Sequence, residues 1–144
     1  MHKRRTLAAT LMVAATLTAN AADQKSSAPP AAVKPLFTKS LPDIAGKEVM
    51  MLTVEYPPGG ASAAHRHDAN TFVYVLEGAI VMGVEGGQEA TVNAGETFYE
   101  SPTDVHTVSR NASATQPAKF LVFFVKDVGA PATRPVKAQE ATSR

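Results

Sequence analysis

The chain has 144 residues, which is enough for one domain and short for two. A hydrophobic content of 44% allows a buried core, and 14 basic against 13 acidic residues give no charge excess of the kind that marks nucleic-acid-binding proteins. No apolar run is long enough to cross a membrane as a helix, and the lack of cysteine excludes disulfide bonds within the chain.

The N-terminal residues predict a cleavable export signal. Residues 2–5 are basic, residues 7–19 are apolar but too few to cross a bilayer, and Ala19-Asn20-Ala21 is a small-x-small cleavage pattern. Cleavage after Ala21 (residues 1–21) removes three of the 14 basic residues and leaves 11 against 13 acidic residues, a formal charge of −2. We therefore expect a periplasmic or secreted protein with no membrane anchor and no nucleic-acid partner.

Composition divides the mature chain into an arm, a domain and a tail. Residues 22–35 are rich in Ala, Ser and Pro, which is typical of a flexible arm or of one that becomes ordered only on docking. Residues 129–144 contain two prolines and few large apolar side chains, as in a tail. The folded domain is predicted to span residues 36–128.

Within the domain, apolar side chains recur with a period of two, which indicates strands. The extended segments are 48–56, 72–76, 79–84, 90–92, 97–100, 106–109 and 120–125. Turn residues separate them about every eight to twelve residues, and no helix is indicated, so we predict an all-β sandwich or barrel. Because segment 120–125 is apolar on both faces, we expect it to be central in its sheet or covered by a second copy of the chain in a symmetric dimer.

The three histidines of the mature chain lie in two short segments of the domain. His65 and His67 are two residues apart, so in an extended segment both side chains point to the same face, while His106 comes from a different strand. Imidazole is the commonest metal-binding side chain, and three imidazoles on one ion leave positions open for water or substrate. The pattern therefore predicts a metal site if the fold brings the three rings together.

The segments around these histidines resemble the two motifs of the cupin family. The first motif lies in residues 59–78, where glycines frame His65-Arg66-His67, and the second in residues 95–111, which begin with a glycine and carry His106. The resemblance implies a jelly-roll β-barrel (a double-stranded β-helix) with His65, His67 and His106 as metal ligands in its mouth. It also implies a small-molecule ligand and chemistry such as dioxygenation, decarboxylation or isomerisation.

The chain departs from the cupin pattern at one position that matters for a metal. The first motif usually carries a glutamate shortly after H-x-H, and Thr71 holds that position here. Without the carboxylate we expect the metals that imidazole favours, namely zinc, copper, nickel or iron. Asp104 could hydrogen-bond a ligand imidazole, and Asn70 could reach the metal through water. The nearby carboxylates that could substitute are Asp68, Glu77, Glu100 and Asp104, although we do not expect any of them to bind the metal directly.

The alternation of side chains along a strand also predicts the pocket wall. If Thr71 faces the barrel interior, Val73 and Val75 face it too, and Val108 shares a face with His106. A small apolar wall suits a small organic ligand near the metal. These features favour an exported metalloenzyme, with Tyr99, Glu100 and Thr71 as the only nearby candidates for a base. The missing carboxylate leaves open a non-catalytic module that binds a small molecule or the metal in the cell envelope.

Overall fold

The computed structural model describes residues 28–136. The predicted export signal therefore lies outside the described residues, as do residues 22–27 of the arm and residues 137–144 of the tail. Residues 28–136 form strands and turns, and no helix that could cross a membrane is found among them.

Ten strands form two five-stranded antiparallel sheets. The strands are β1 (Ala32–Ser40), β2 (Lys47–Tyr56), β3 (His65–Arg66), β4 (Asn70–Glu77), β5 (Ala79–Val84), β6 (Ala90–Asn93), β7 (Thr97–Glu100), β8 (His106–Asn111), β9 (Ala118–Asp127) and β10 (Arg134–Pro135). The first sheet has the order β1-β2-β9-β4-β7 and the second the order β10-β3-β8-β5-β6. Side chains of both sheets meet in one apolar core, and the predicted all-β jelly roll is confirmed.

Strand β9 shows why this sequence forms the layered core. It pairs with β2 along one edge and with β4 along the other, so the apolar segment 120–125 is central in its sheet. Phe120, Val122 and Phe124 are buried between the sheets, and the alternate residues are half-buried on the outer face. Removing each such inward side chain from water stabilises the fold by roughly 1.5–3 kcal/mol.

Both ends of the described chain take part in the sheets. Strand β1 begins at Ala32, inside the segment predicted as an arm, and pairs with β2 as far as Ser40. Strand β10 lies inside the segment predicted as a tail and pairs with β3, where Arg134 lies opposite Arg66. The side chains of β1 and β10 are exposed, so neither segment shows the alternation of apolar and polar residues by which a strand is recognised in a sequence.

A β-bulge in β8 decides which of its side chains face the interior. Gly83 of β5 lies opposite Val108, whereas the next residue of β5 lies opposite His106, so Thr107 is an extra residue in the ladder. The bulge reverses the alternation, and Ser109, not Val108, faces inward with His106. Val108 lies against Gly83 on the outer face, where a Cβ added to the glycine would lie 3.3 Å from the valine Cβ. This placement differs from the pocket wall that strand parity predicted.

The glycine that ends the first motif is required by its surroundings. Gly78 connects β4 to β5 with a φ of 71°, a backbone conformation that residues with a Cβ rarely adopt. A Cβ at this position would also lie 2.7 Å from the carbonyl oxygen of Pro117, which is closer than packed atoms allow. Only glycine therefore lets the chain cross here from the first sheet to the second.

Candidate metal centre

The structure brings the three histidines together on the wall of one cavity. His65 of β3 and His106 of β8 are directly paired residues, and His67 follows two residues after His65 on the same inward side. One ring nitrogen from each of the three lies within 4.8 Å of the others, and the ring centroids are 4.8 to 6.4 Å apart. This separation is compatible with three nitrogen ligands around a single metal ion.

Backbone carbonyls orient two of the imidazoles. The Nδ1 atom of His65 donates to the carbonyl of Ala63, and that of His67 donates to the carbonyl of Ala132, each at 2.7 Å. Because a carbonyl oxygen only accepts hydrogen bonds, the proton of each neutral ring lies on Nδ1 and the lone pair on Nε2. A metal-binding histidine typically has this second-nitrogen hydrogen bond, which fixes the tautomer and the direction of the free nitrogen.

Of the three histidines, His106 gives the strongest indication of a metal site. The residue is 2% exposed, and within residues 28–136 neither of its ring nitrogens has a hydrogen-bond partner. A buried polar atom without a partner costs about 1–3 kcal/mol. The ring of Phe98 lies nearly parallel to it at a centroid distance of 6.3 Å. A metal ion bound to this imidazole would supply a partner that the described residues do not, so the residues fit a metal.

The protonation states also suit metal binding. Burial, together with the charges of the neighbouring imidazoles, lowers the pKa of His67 to about 4 and that of His106 to about 3. Both rings are therefore neutral at neutral pH and keep their lone pairs for a metal ion.

Glu100 brings a carboxylate to the same place from β7 of the first sheet, whereas the histidine strands β3 and β8 belong to the second sheet. Glu100 ends β7, lies directly opposite Thr71 of β4 and is 2% exposed. Its Oε2 atom is 3.2 Å from Nδ1 of His106 and 3.4 Å from Nε2 of His67. Burial and the nearby charge of Asp104 raise the pKa of Glu100 to about 7. In the described part of the chain, no lysine or arginine lies within ion-pair distance of this carboxylate.

The sequence contained a signal for Glu100 that our prediction did not use. The alternation along segment 97–100 places Glu100 on the same side as Phe98, which points toward the core, and opposite to Tyr99, which is exposed. A glutamate in an inward position of a strand needs a partner, and this alone distinguishes Glu100 from the other nearby carboxylates.

The other predicted neighbours of the metal lie in different settings. Thr71 is fully buried beside Glu100, and its hydroxyl donates weakly to a backbone carbonyl at 3.4 Å. The side chain of Asn70 accepts a hydrogen bond from Tyr99 at 2.7 Å at the exposed surface. Asp104 accepts a hydrogen bond from the backbone of Ser101 and acts on the site through its charge.

Asp68, which follows His67, holds the end of the described chain next to the site. Its carboxylate forms ion pairs with Arg66, at 3.1 Å, and with Arg134 of β10, at 2.5 Å. The residue has a φ of 49°, in the left-handed region that aspartate tolerates better than most residues. This turn and its ion pairs keep β10 against β3, near the carbonyl of Ala132 that orients His67.

The cavity beside the histidines has a volume of about 470 Å³ and a largely apolar wall. Of the three valines predicted for the wall, Val73 lines the cavity, whereas Val75 is fully buried in the core and Val108 lies outside. The larger apolar residues of the wall are Leu52, Val54, Met82, Phe120, Val122 and Phe124. Among the described residues, the ionisable side chains on this wall are the three histidines, Glu100 and the phenol of Tyr56.

Comparisons with known proteins agree with this architecture. A family model described as a cupin domain matches residues 52–124. A protein from Thermus thermophilus is 26% identical, with 67% of this chain and 84% of that chain covered and a TM-score of 0.55. The polyketide cyclase RemF from Streptomyces resistomycificus is 25% identical, with 72% of each chain covered and a TM-score of 0.53.

A third similar structure is an oxalate oxidase bound to the substrate analogue glycolate. It is 24% identical, with 70% of this chain and 53% of that chain covered and a TM-score of 0.56, a likeness that shows the fold alone. No protein in the curated set matches the chain.

Proposed function

The chain belongs to the family of proteins with a cupin domain, and from this premise we propose that it is a metalloenzyme acting on a small organic molecule. His65, His67 and His106 would hold one divalent transition metal ion, and the cavity beside them would hold the substrate. Zinc, copper, nickel and iron are the metals that a set of imidazoles favours.

One observation carries the proposal above the others. His106 is buried with two unpartnered ring nitrogens in the described part of the chain, and Nδ1 lies 3.2 Å from a carboxylate oxygen without forming a hydrogen bond to it. A cation bound here would supply the partner that the ring nitrogen lacks and an opposite charge for the carboxylate.

Glu100 supports the enzyme over the non-catalytic module. The module was favoured by the lack of a carboxylate at Thr71, but Glu100 places a carboxylate directly across the strand pair from that position. It offsets part of the charge of a bound cation and is the only carboxylate on the cavity wall in the described residues. We therefore assign Glu100 the task of accepting or returning a proton of the bound molecule.

The metal and the apolar wall of the cavity supply the rest of the proposed chemistry. When bound, the metal supplies a Lewis acid for an oxygen atom of the substrate. The apolar side chains exclude water from the neighbourhood of Glu100, which strengthens electrostatic interactions there. A single carboxylate beside the imidazoles suits reactions in which one proton leaves or returns, as in the isomerisations and decarboxylations expected for this family.

Elemental analysis of the purified mature protein tests the metal. We expect about one transition metal ion per chain, and we expect His106→Ala to lose it while keeping the β-rich circular dichroism spectrum. Glu77→Gln, which changes an exposed glutamate of β4, is the control and should retain the metal. Protein that contains no transition metal after reconstitution with each of the four candidates would refute the proposal.

We also propose that the protein is a homodimer that uses the outer face of the first sheet. Phe72, Tyr74 and Tyr99 are 46%, 43% and 50% exposed on this face, and the ring of Phe123 lies 6.2 Å from that of Phe72. Exposed apolar patches of this kind mark interaction surfaces. Sedimentation should give a dimer for the wild type and a monomer for Phe72→Glu, and a monomeric wild type would rule the dimer out.

The third proposal concerns location. The export signal predicted in residues 1–21 implies a periplasmic or secreted protein. N-terminal sequencing of the protein purified from cells should begin at Ala22, and a chain that begins at residue 1 or 2 would remove this proposal.

A further inference from the structure

Three hydroxyl groups lie together on the cavity wall, and one of them is on the strand that carries His106. The hydroxyl of Tyr56 is 2.7 Å from that of Ser62 and 2.6 Å from that of Ser109, and all three residues line the cavity. Tyr56 and Ser109 are buried. We call Tyr56, Ser62 and Ser109 the hydroxyl cluster.

The hydroxyl cluster has a hydrogen-bond donor to spare. Three hydroxyl groups carry three protons, and the two hydrogen bonds among them use two. The third proton has the sulfur of Met82, 3.6 Å from the Ser109 hydroxyl, as its acceptor in the described residues. A thioether sulfur is a weak acceptor, so an oxygen atom of a bound molecule would be a better one.

The rest of the wall restricts what can bind. Apart from the histidines, Glu100 and the hydroxyl cluster, most of the wall consists of apolar side chains, among them Leu52, Val54 and Val122. No lysine or arginine lines the cavity in the described part of the chain, so a second negative charge on the ligand would have no partner. The wall therefore favours an apolar body and disfavours dicarboxylates and sugars.

The spacing along β8 sets the length of the ligand. Ser109 is three residues beyond His106 and faces the same cavity because of the bulge at Thr107. Because Thr107 is an extra residue in the ladder, His106 and Ser109 lie opposite Val84 and Met82 of β5, which are two residues apart, and two residues of strand correspond to roughly 7 Å. A benzene ring with substituents at opposite ends can reach from one group to the other, and a cavity of about 470 Å³ accommodates it.

We infer that the substrate is a small, mostly apolar molecule of about the size of a disubstituted benzene ring. One oxygen faces the histidines, and a hydrogen-bonding oxygen at the opposite end is bound by Tyr56 and Ser109. This inference rests on the proposed function, because the first oxygen is placed by the metal.

The test uses the full-length mature protein loaded with zinc, with the zinc content measured first. Binding of 4-hydroxybenzyl alcohol and 4-ethylphenol is measured by calorimetry, because the two have nearly the same size and phenol acidity and differ in the distal hydroxyl. In Ser109→Ala the alcohol should bind about 3- to 10-fold more weakly, which corresponds to one hydrogen bond, while 4-ethylphenol keeps its affinity. Ser40→Ala, at the exposed end of β1 and away from the cavity wall, is the control and should leave both affinities unchanged.

Ser109→Ala leaves Tyr56 bonded to Ser62, and a thermal melt checks that the variant is folded. Tyr56→Phe should also weaken the binding of 4-hydroxybenzyl alcohol and leave that of 4-ethylphenol unchanged. The inference is overturned if both variants change the two affinities equally or not at all, if 4-hydroxybenzyl alcohol does not bind, or if oxalate binds more tightly than either phenol. Failure of the proposed function gives a different result, in which zinc is not retained or both phenols bind His106→Ala as well as the wild type.

Discussion

Two glutamates are buried in the described part of this protein, and their surroundings differ. Glu48 of β2 is 7% exposed and is bonded by the ammonium group of Lys126, its direct partner on β9, and by the backbone N–H of Gly129. The Lys126 hydrogen bond lowers the pKa of Glu48, whereas burial raises the pKa of Glu100 to about 7. The nearest cationic candidates to Glu100 are imidazoles that burial keeps neutral.

The comparison distinguishes a buried carboxylate that the chain itself neutralises from one that it does not. Taking a carboxylate out of water is costly unless a cation and hydrogen bonds replace the water. The chain supplies both for Glu48, so that pair is complete. Glu100 is buried beside neutral imidazoles, and the described residues offer it no cation. A bound metal ion would supply that missing positive charge.

The largest expected effect comes from removing the charge of Glu100. Glu100→Gln keeps the size of the side chain but not its charge, and we expect metal affinity to fall by about 10- to 100-fold. Competition with a chelator measures the change, and Glu77→Gln at the surface is the control. Equal affinities for the wild type and Glu100→Gln would mean that the two glutamates do not differ in the way described.

A second change moves the carboxylate instead of removing it. Thr71 lies directly opposite Glu100, and paired residues of neighbouring antiparallel strands have Cβ atoms about 4.5–5.5 Å apart. The double variant Thr71→Glu with Glu100→Gln should therefore recover much of the metal affinity that Glu100→Gln loses. The same chelator competition measures it, and a double variant no better than Glu100→Gln alone would argue that the strand partner does not reach the metal.

Breaking the ion pair between Glu48 and Lys126 should lower the stability of the fold. Lys126→Met leaves Glu48 buried without its cation, and we expect the melting temperature of the metal-free protein to fall by several degrees. Lys119→Met, which changes a more exposed lysine of the same strand, is the control and should have little effect. A variant that melts with the wild type would show that the pair contributes nothing to the fold.

The smallest expected effect is the pH dependence of the difference in melting temperature between the wild type and Lys126→Met. Because the pKa of Glu48 is lowered in the folded protein, its pair stabilises the fold above the ordinary pKa of 4.5, and this contribution is lost as the pH falls through the lowered value. The gap in melting temperature between the wild type and Lys126→Met should therefore shrink from pH 7 toward pH 3. A gap that grows on acidification would contradict the direction of the pKa shift.

The fold and the histidines could be predicted because local patterns report them. Alternating apolar residues mark strands, and a strand that is apolar on both faces, such as β9, belongs in the middle of a sheet. His65 and His67 are brought to one side by the alternation along an extended segment, and the glycine-framed motifs relate them to His106.

The rest depends on pairings that no local pattern reports. The bulge at Thr107 exchanges Val108 for Ser109 on the cavity wall, and an extra residue in a ladder has no signature in this stretch of sequence. The partnership of Thr71 and Glu100 depends on the register between β4 and β7, which are separated by two strands of the other sheet. Strand β1 is exposed along its length, so its burial pattern cannot reveal it.

The most direct test is the anomalous diffraction signal of crystals of the reconstituted protein, recorded at the absorption edge of the bound metal. The account predicts one peak per chain, within bonding distance of nitrogens from His65, His67 and His106 and on the side of Glu100. A peak at another place in the chain, or crystals of metal-treated protein with no peak among these residues, would contradict it.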